Sequence, residues 1–217
     1  MRSADLDAIS VDAFGTLVTL RDPIGALGRA LRERGLEESP EAIGCAFRAE
    51  VAYYRPRSHL GCDPQSLRSL RRECVRVFLD ELGAAIPPET FVEAFMAALV
   101  FDLIPGTQQA LGVLADSGLA LACVANWDVS LHELLAELAV ADRFGTIVTS
   151  AEVRAGKPSP LIFKRALVEL GVGAGRTLHI GDEDIDWVGA QAAGLQFAPA
   201  PLSTLPGRLG LVQERAS

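Results

Sequence analysis

Ile9-Ser10-Val11-Asp12-Ala13-Phe14-Gly15-Thr16-Leu17-Val18 is an apolar run that delivers one carboxylate, turns at Gly-Thr and becomes apolar again. Ala8–Val11 reads as a buried strand ending at Asp12. An unpaired charge is costly inside a core. At the carboxyl end of a strand in an open parallel sheet, however, it stands where ligands bind. Whether this strand belongs to such a sheet depends on the pattern of the chain beyond Val18.

From Pro23 to Phe101 the pattern is helical throughout. Residues 23–32 carry apolar side chains at three- and four-residue spacing and are stopped by Gly35. Pro40 to Tyr54, Pro64 to Leu82 and Pro88 to Val100 read as three more helices, with a loop over 55–61 between the second and third. After Phe101 the chain alternates. Helices are expected over 107–118, 131–138, 160–171 and 186–193, and strands over 119–124, 146–150, 177–180 and 196–200. Such alternation implies parallel βαβ units with apolar strands covered on both faces. The first strand belongs with them, so the helical block is an insertion. The expected fold is α/β, a Rossmann-like three-layer parallel-sheet core (residues 1–17 and 102–217) with an inserted α-helical domain (18–101). The tail from Pro201 onward, rich in Pro, Gly and polar residues, is expected to be loosely attached.

The formal net charge is −8 and there is no Lys/Arg run, so the chain lacks the electrostatic footprint of a nucleic-acid or anionic-membrane binder. An anionic substrate would need a local device: a metal ion, a helix N-terminus or a placed lysine. Cys45, Cys62, Cys74 and Cys123 have no CxxC spacing and read as reduced, mostly buried thiols. Residues 1–8 lack the apolar stretch of a signal peptide, and no segment reaches the ~18 apolar residues of a membrane span. A cytoplasmic chain with no nucleic-acid or membrane partner is expected. The sequence leaves its oligomeric state open.

Chemistry-bearing residues follow the strands. Asp12 follows the first, Ala125-Asn126-Trp127-Asp128 the second, Arg154-Ala155-Gly156-Lys157-Pro158 the third and Gly181-Asp182-Glu183-Asp184-Ile185-Asp186 the fourth. Carboxylates gathered at one edge repel one another unless a cation is present, and hard oxygen ligands suit Mg²⁺. A metal and a lysine together can neutralise a phosphate and allow attack by a carboxylate, which is catalysis through an aspartyl-phosphate.

These four segments, in this order, resemble the motifs of the haloacid dehalogenase (HAD) superfamily of hydrolases, mostly phosphatases. Asp12-Ala13-Phe14-Gly15-Thr16-Leu17 matches its Asp-x-Asp-Gly-Thr-Leu, Ala125-Asn126 the end of its second strand, Lys157 its Gly-Lys-Pro lysine, and Gly181-Asp182 with Asp186 its acidic motif. The insertion takes the place of a helical cap. The resemblance implies a Mg²⁺-dependent phosphatase of small phosphorylated metabolites with Asp12 as nucleophile. Mg²⁺ would be held by Asp12, the Phe14 backbone carbonyl and Asp182, with Asp186 or Glu183 in support. Lys157 would pair with the nucleophile and the phosphate, while Gly15, Thr16 and Asn126 would shape the substrate side.

Two positions depart from the family. Phe14 replaces the aspartate that protonates the leaving group, an assistance worth roughly 10²–10⁴-fold. Ala125 replaces the hydroxyl that holds a phosphate oxygen, a bond worth about 1.5–3 kcal/mol. The alternatives are a catalytically weak member that binds a phosphorylated ligand or a protein, and a dehalogenase, which needs no leaving-group acid. The acidic cluster argues against the dehalogenase, and Arg21 is the one arginine that would serve it. Asn126 reads as turn former or ligand, and Trp127 and Asp128 as packing and a helix cap. Residues 53–59 either contact substrate or cover apolar surface, whereas His132, His179 and Cys123 read as structural.

Overall fold

Ala8–Val11 forms β1, the central strand of a five-stranded parallel sheet. In the computed structural model, which describes residues 5–211, it is flanked by β4 (Ala120–Ala125) and β6 (Thr177–Gly181). Outside these lie β5 (Thr146–Thr149) and β7 (Gln196–Pro199), giving the order β5-β4-β1-β6-β7. All four residues of β1 are buried, as a parallel strand covered on both faces requires. The register sets Val11 opposite Cys123 and Ile180, so Asp12, Asn126 and Asp182 all emerge at one edge of the sheet.

The crossovers run through α5 (Thr107–Asp116), α6 (Leu131–Glu137), the short α7 (Ser150–Val153), α8 (Pro160–Leu170) and α9 (Asp184–Ala193). In α8 the Ser159 hydroxyl caps the first turn, Pro160 stands at the first helical position, and Gly171 ends the helix at φ 67°. Its inner face, Ile162, Phe163 and Ala166, packs on Ala122, Val124 and Val148 of the sheet and on Ala190 of α9. Among the described residues, 5–19 and 103–211 make one compact unit.

Leu20–Asp102 makes the second unit. It consists of α1 (Pro23–Arg32), α2 (Pro40–Tyr54), α3 (Pro64–Glu81) and α4 (Pro88–Ala98), each opened by a proline. Asp22, Ser39 and Asp63 supply side-chain caps to the first three. The rings of Phe78, Phe91 and Phe95 lie 5.1–6.4 Å apart at the centre of its core, joined by Leu27, Leu31, Ile43 and Val75. The segment expected as a loop over 55–61 is instead mostly a 3₁₀ turn, Arg55–Leu60.

Two features were not expected. β2 (Val18–Leu20) and β3 (Phe101–Leu103) form a two-stranded ribbon where the chain passes between its units. The expected loose tail is packed as far as it is described: a 3₁₀ turn (Leu202–Thr204) leads into α10 (Leu205–Arg208), and Leu202, Leu205 and Leu209 are buried. Burying these three side chains outweighs the turn-forming composition around them. The remainder of that expectation, over 212–217, lies outside the described residues. No described helix is long and apolar enough to cross a membrane. All four cysteines are free, but only Cys74 and Cys123 are buried.

Candidate active site

Asp12 is fixed by its own backbone, whose N–H donates to the Ile180 carbonyl of the neighbouring strand at 2.9 Å. The chain then folds tightly. Leu17 and Val18 both donate to the Ala13 carbonyl, and Gly15 donates to that of Val18. Gly15 sits at φ 84°, and a Cβ there would lie 2.2 Å from Asp182 Oδ2, so glycine is demanded both by the backbone and by the approach of a second carboxylate. The buried Thr16 directs its hydroxyl at Asp182 Oδ1, 3.4 Å away.

Lys157 arrives from the far side of the sheet edge and is also buried. Asn126 clamps its backbone from both sides: the Lys157 N–H donates to Asn126 Oδ1 at 2.6 Å, and Asn126 Nδ2 donates to the Lys157 carbonyl at 3.0 Å. Gly156 lets the amide come this close, since a Cβ there would meet Asn126 Oδ1 at 2.6 Å. The Lys157 ammonium donates to Asp12 Oδ1 and, at 2.5 Å, to Asp186 Oδ1. Asp186 accepts two more donors: His179 Nε2 on Oδ1 at 3.1 Å and the Glu183 N–H on Oδ2 at 3.1 Å.

The electrostatics follow from burial. Burial pushes Asp12 up to about 7, helped by the charges of Asp186 and Asp182 and opposed by Lys157. Burial alone would lower Lys157, yet Asp12 and Asp186 beside it hold it above its ordinary value. Asp186 is driven the other way: burial raises it, but its bonds to His179 and Lys157 prevail and keep it well below the usual carboxylate range. Asp182, partly exposed, is raised by burial and by repulsion from Asp186 and Glu183.

Of the expected site residues, Asp12, Asp182 and Asp186 come together, with one oxygen from each lying within 4.8 Å of the others. All three offer hard oxygen, and against them stands the single ammonium of Lys157, so the cluster fits a divalent cation such as Mg²⁺. The turn bonds leave the Phe14 carbonyl out, while the Phe14 ring is 42 % exposed. Asp184 begins α9 on the surface, and Glu183 contributes its backbone N–H to Asp186. Asp128 accepts from the backbone N–H and hydroxyl of Ser130, the residue before α6, which closes a local turn and does not cap the helix as expected.

Arg21 pairs with Asp102 on the surface, in the helical unit. Arg57 is folded over the Tyr53 ring at 4.0 Å and donates to the Tyr53 carbonyl, on the rim of an open cavity of about 470 Å³. His132 meets Glu152 at 3.0 Å on the surface. His179, read as structural, instead bonds directly to Asp186. The Ser10 partner of His179 lies 169 residues upstream, out of reach of any local pattern, while Asp186 lies seven residues downstream.

The model of the haloacid dehalogenase-like hydrolase family matches residues 72–200, more than half of the chain, including Asn126, Lys157, Asp182 and Asp186. The chain is 29% identical over 197 residues to mouse haloacid dehalogenase-like hydrolase domain-containing protein 3, covering 85% of this chain and 77% of that protein. It is 35% identical over 91 residues to the phosphoglycolate phosphatase of Neisseria gonorrhoeae, covering 42% and 39% of the two chains. Among solved structures it resembles the putative HAD-hydrolase YfnB of Bacillus subtilis, crystallised with magnesium. There the TM-score is 0.76 at 18% identity, over 97% of this chain and 100% of that one.

Proposed function

This chain belongs to the haloacid dehalogenase-like hydrolase family, and on that premise we propose that it is a phosphatase of small phosphorylated metabolites with Asp12 as its nucleophile. The observation that carries the reading is a buried Asp12 at the end of β1, paired with the Lys157 ammonium and with a carboxylate oxygen of Asp182 within 4.8 Å. An Asp12 oxygen attacks phosphorus as the bond to the leaving group breaks, giving an aspartyl-phosphate that water hydrolyses to inorganic phosphate. Lys157 offsets the negative charge of the approaching phosphate. Asp12, Asp182 and the Phe14 carbonyl would hold Mg²⁺, which when bound supplies positive charge against the phosphate oxygens.

Two assignments differ from the simplest transfer of family roles. Asp186 accepts three N–H donors, the Lys157 ammonium among them, so besides its place in the carboxylate cluster it holds Lys157. Both ends of the Asn126 amide are taken by the Lys157 backbone, so it too serves the lysine. Gly15 and Thr16 shape the anion side, and the inserted unit Leu20–Asp102 takes the place in the chain that the family's cap takes. With Phe14 where an acid would stand, the leaving group must depart without a proton, so aryl and acyl phosphates are the favoured substrates.

The test is phosphate release from an aryl and an acyl phosphate, with Mg²⁺ and with chelator, in wild type and Asp12→Asn. Metal-dependent turnover that falls by about 10⁴-fold or more in the variant is expected. Folded wild type that turns over neither substrate would overturn the reading in favour of a ligand-binding member. Halide release in chelator would point to a dehalogenase.

A further inference from the structure

We propose that His179, held by Ser10, is a positioning residue that orients Asp186 and through it the Lys157 ammonium on Asp12. The proposal rests on the phosphatase reading for its consequence, though not for its geometry. His179 lies in β6 directly opposite Ser10 of β1 and is wholly buried. The Phe163 ring meets it edge-on with centroids 4.8 Å apart, and the Phe197 ring stands 6.3 Å away. In such surroundings an aliphatic side chain would pack without desolvating any polar atom, whereas a histidine must satisfy two ring nitrogens. Both are satisfied: Nδ1 lies 2.9 Å from Ser10 Oγ, and Nε2 lies 3.1 Å from Asp186 Oδ1.

The partners fix the tautomer. Asp186 as a carboxylate only accepts, so Nε2 carries the hydrogen, Nδ1 accepts, and the Ser10 hydroxyl donates. A continuous line of bonds therefore runs from Ser10 through His179 and Asp186 to Lys157 and Asp12. Asp186 Oδ1 receives the ring N–H and the ammonium together. Without the ring donor, one anchor on that oxygen is lost and the carboxylate can turn, carrying the ammonium away from Asp12. A group that fixes the orientation of a charged partner in this way resembles the outer-layer ligands of metal sites, whose loss costs about 10- to 100-fold in activity or affinity.

The substitutions His179→Gln and His179→Asn separate a donor from mere bulk. Glutamine places an amide N–H where Nε2 stands, while asparagine reaches only as far as Nδ1. With an aryl phosphate and Mg²⁺, His179→Gln should keep kcat within about threefold of wild type, and His179→Asn should lose about 10- to 100-fold in kcat with KM little changed. Equal kcat in the two variants would overturn the proposal.

A second readout is independent of turnover. The chain has only two lysines, Lys157 and Lys164. Selective ¹³C-lysine labelling, assigned with Lys164→Arg, therefore isolates the Lys157 ε-methylene. Its two protons should be inequivalent in wild type and His179→Gln and converge in His179→Asn. Inequivalence that survives in His179→Asn would overturn the proposal whatever the turnover. Wild type lacking phosphatase activity, but with the expected lysine pattern, would sink the phosphatase reading and leave the positioning role standing. If His179→Asn does not fold, ¹⁵N shifts of the wild-type ring decide, assigned by elimination with His59→Gln and His132→Gln. The hydrogen on Nε2 supports the proposal, and a hydrogen on Nδ1 alone refutes it.

Discussion

Each of the two units buries a carboxylate, and they do so under opposite terms. Asp186 in the sheet unit accepts a ring N–H, a backbone N–H and a lysine ammonium, and these hold it far below its ordinary pKa despite burial. Glu50 of α2, 6 % exposed in the helical unit, is pushed by burial up to about 7, and the Cys74 thiol beside it offsets only part of that rise. The difference separates a charge kept ionised for use from one that folding tolerates best when protonated. Burial is alike in the two places; the donors are not.

The comparison breaks most forcefully at Lys157. The substitution Lys157→Met leaves Asp12 and Asp186 facing each other without their ammonium, which puts the sheet unit in the position Glu50 already occupies. Removing one partner of a buried pair costs about 3–5 kcal/mol, and urea unfolding at pH 7 in chelator should read a loss of that size. A loss below about 1 kcal/mol would mean that the lysine matters little to the folded state. Asp12 would then be expected to take up a proton instead, visible as proton uptake on folding.

Phe14 offers a third setting, half in solvent beside the same cluster. The change Phe14→Asp adds a carboxylate where the family has its acid, at a side chain exposed enough for the fold to accept it. Hydrolysis of an alkyl phosphate should rise by about 10²-fold, while an aryl phosphate, which leaves without a proton, gains much less. An unchanged alkyl-to-aryl ratio would show that the missing acid is not what limits this site.

How much of this could be read in advance depends on the distance over which each feature is encoded. β1, α1 and α2 were legible to the residue, because proline openings, capping residues and apolar spacing are local signals. The three-residue strands β2 and β3 are too short to show alternation. The tail did carry a signal, Leu202, Leu205 and Leu209 at helical spacing, obscured by Pro201, Gly207 and Gly210. At the site, Asp12 and Asp182 were legible because each follows a strand end, Asp186 because it lies in the first turn of α9, and Lys157 because its Gly-Lys-Pro turn is a recognisable motif. The tasks of Asn126 and His179 were not, since their partners lie 31 and up to 169 residues away. The acidic run likewise left its members unranked until α9 turned Asp186 inward and Asp184 outward.

Glu50 yields the cleanest reading. Its folded pKa, about 7, lies above the ~4.3 of a free glutamate, so the folded protein keeps that proton longer than the unfolded chain does. The stability it contributes is therefore complete below about pH 4 and is lost as pH rises towards 7, by at most about 1.4 kcal/mol per pH unit. The substitution Glu50→Gln removes the titration while keeping the shape, so it should flatten this slope and leave the protein more stable than wild type at pH 8, by at most about 3.7 kcal/mol. The chain itself supplies the probes: its only tyrosines, Tyr53 and Tyr54, lie in the helical unit, and its only tryptophans, Trp127 and Trp187, in the sheet unit. Urea unfolding followed by tyrosine absorbance should show the pH dependence and its loss in Glu50→Gln, with the larger change in the tyrosine transition than in the tryptophan one. An unaltered slope at the tyrosines would mean that Glu50 takes up no proton on folding, and the contrast with Asp186 would then lie in packing alone.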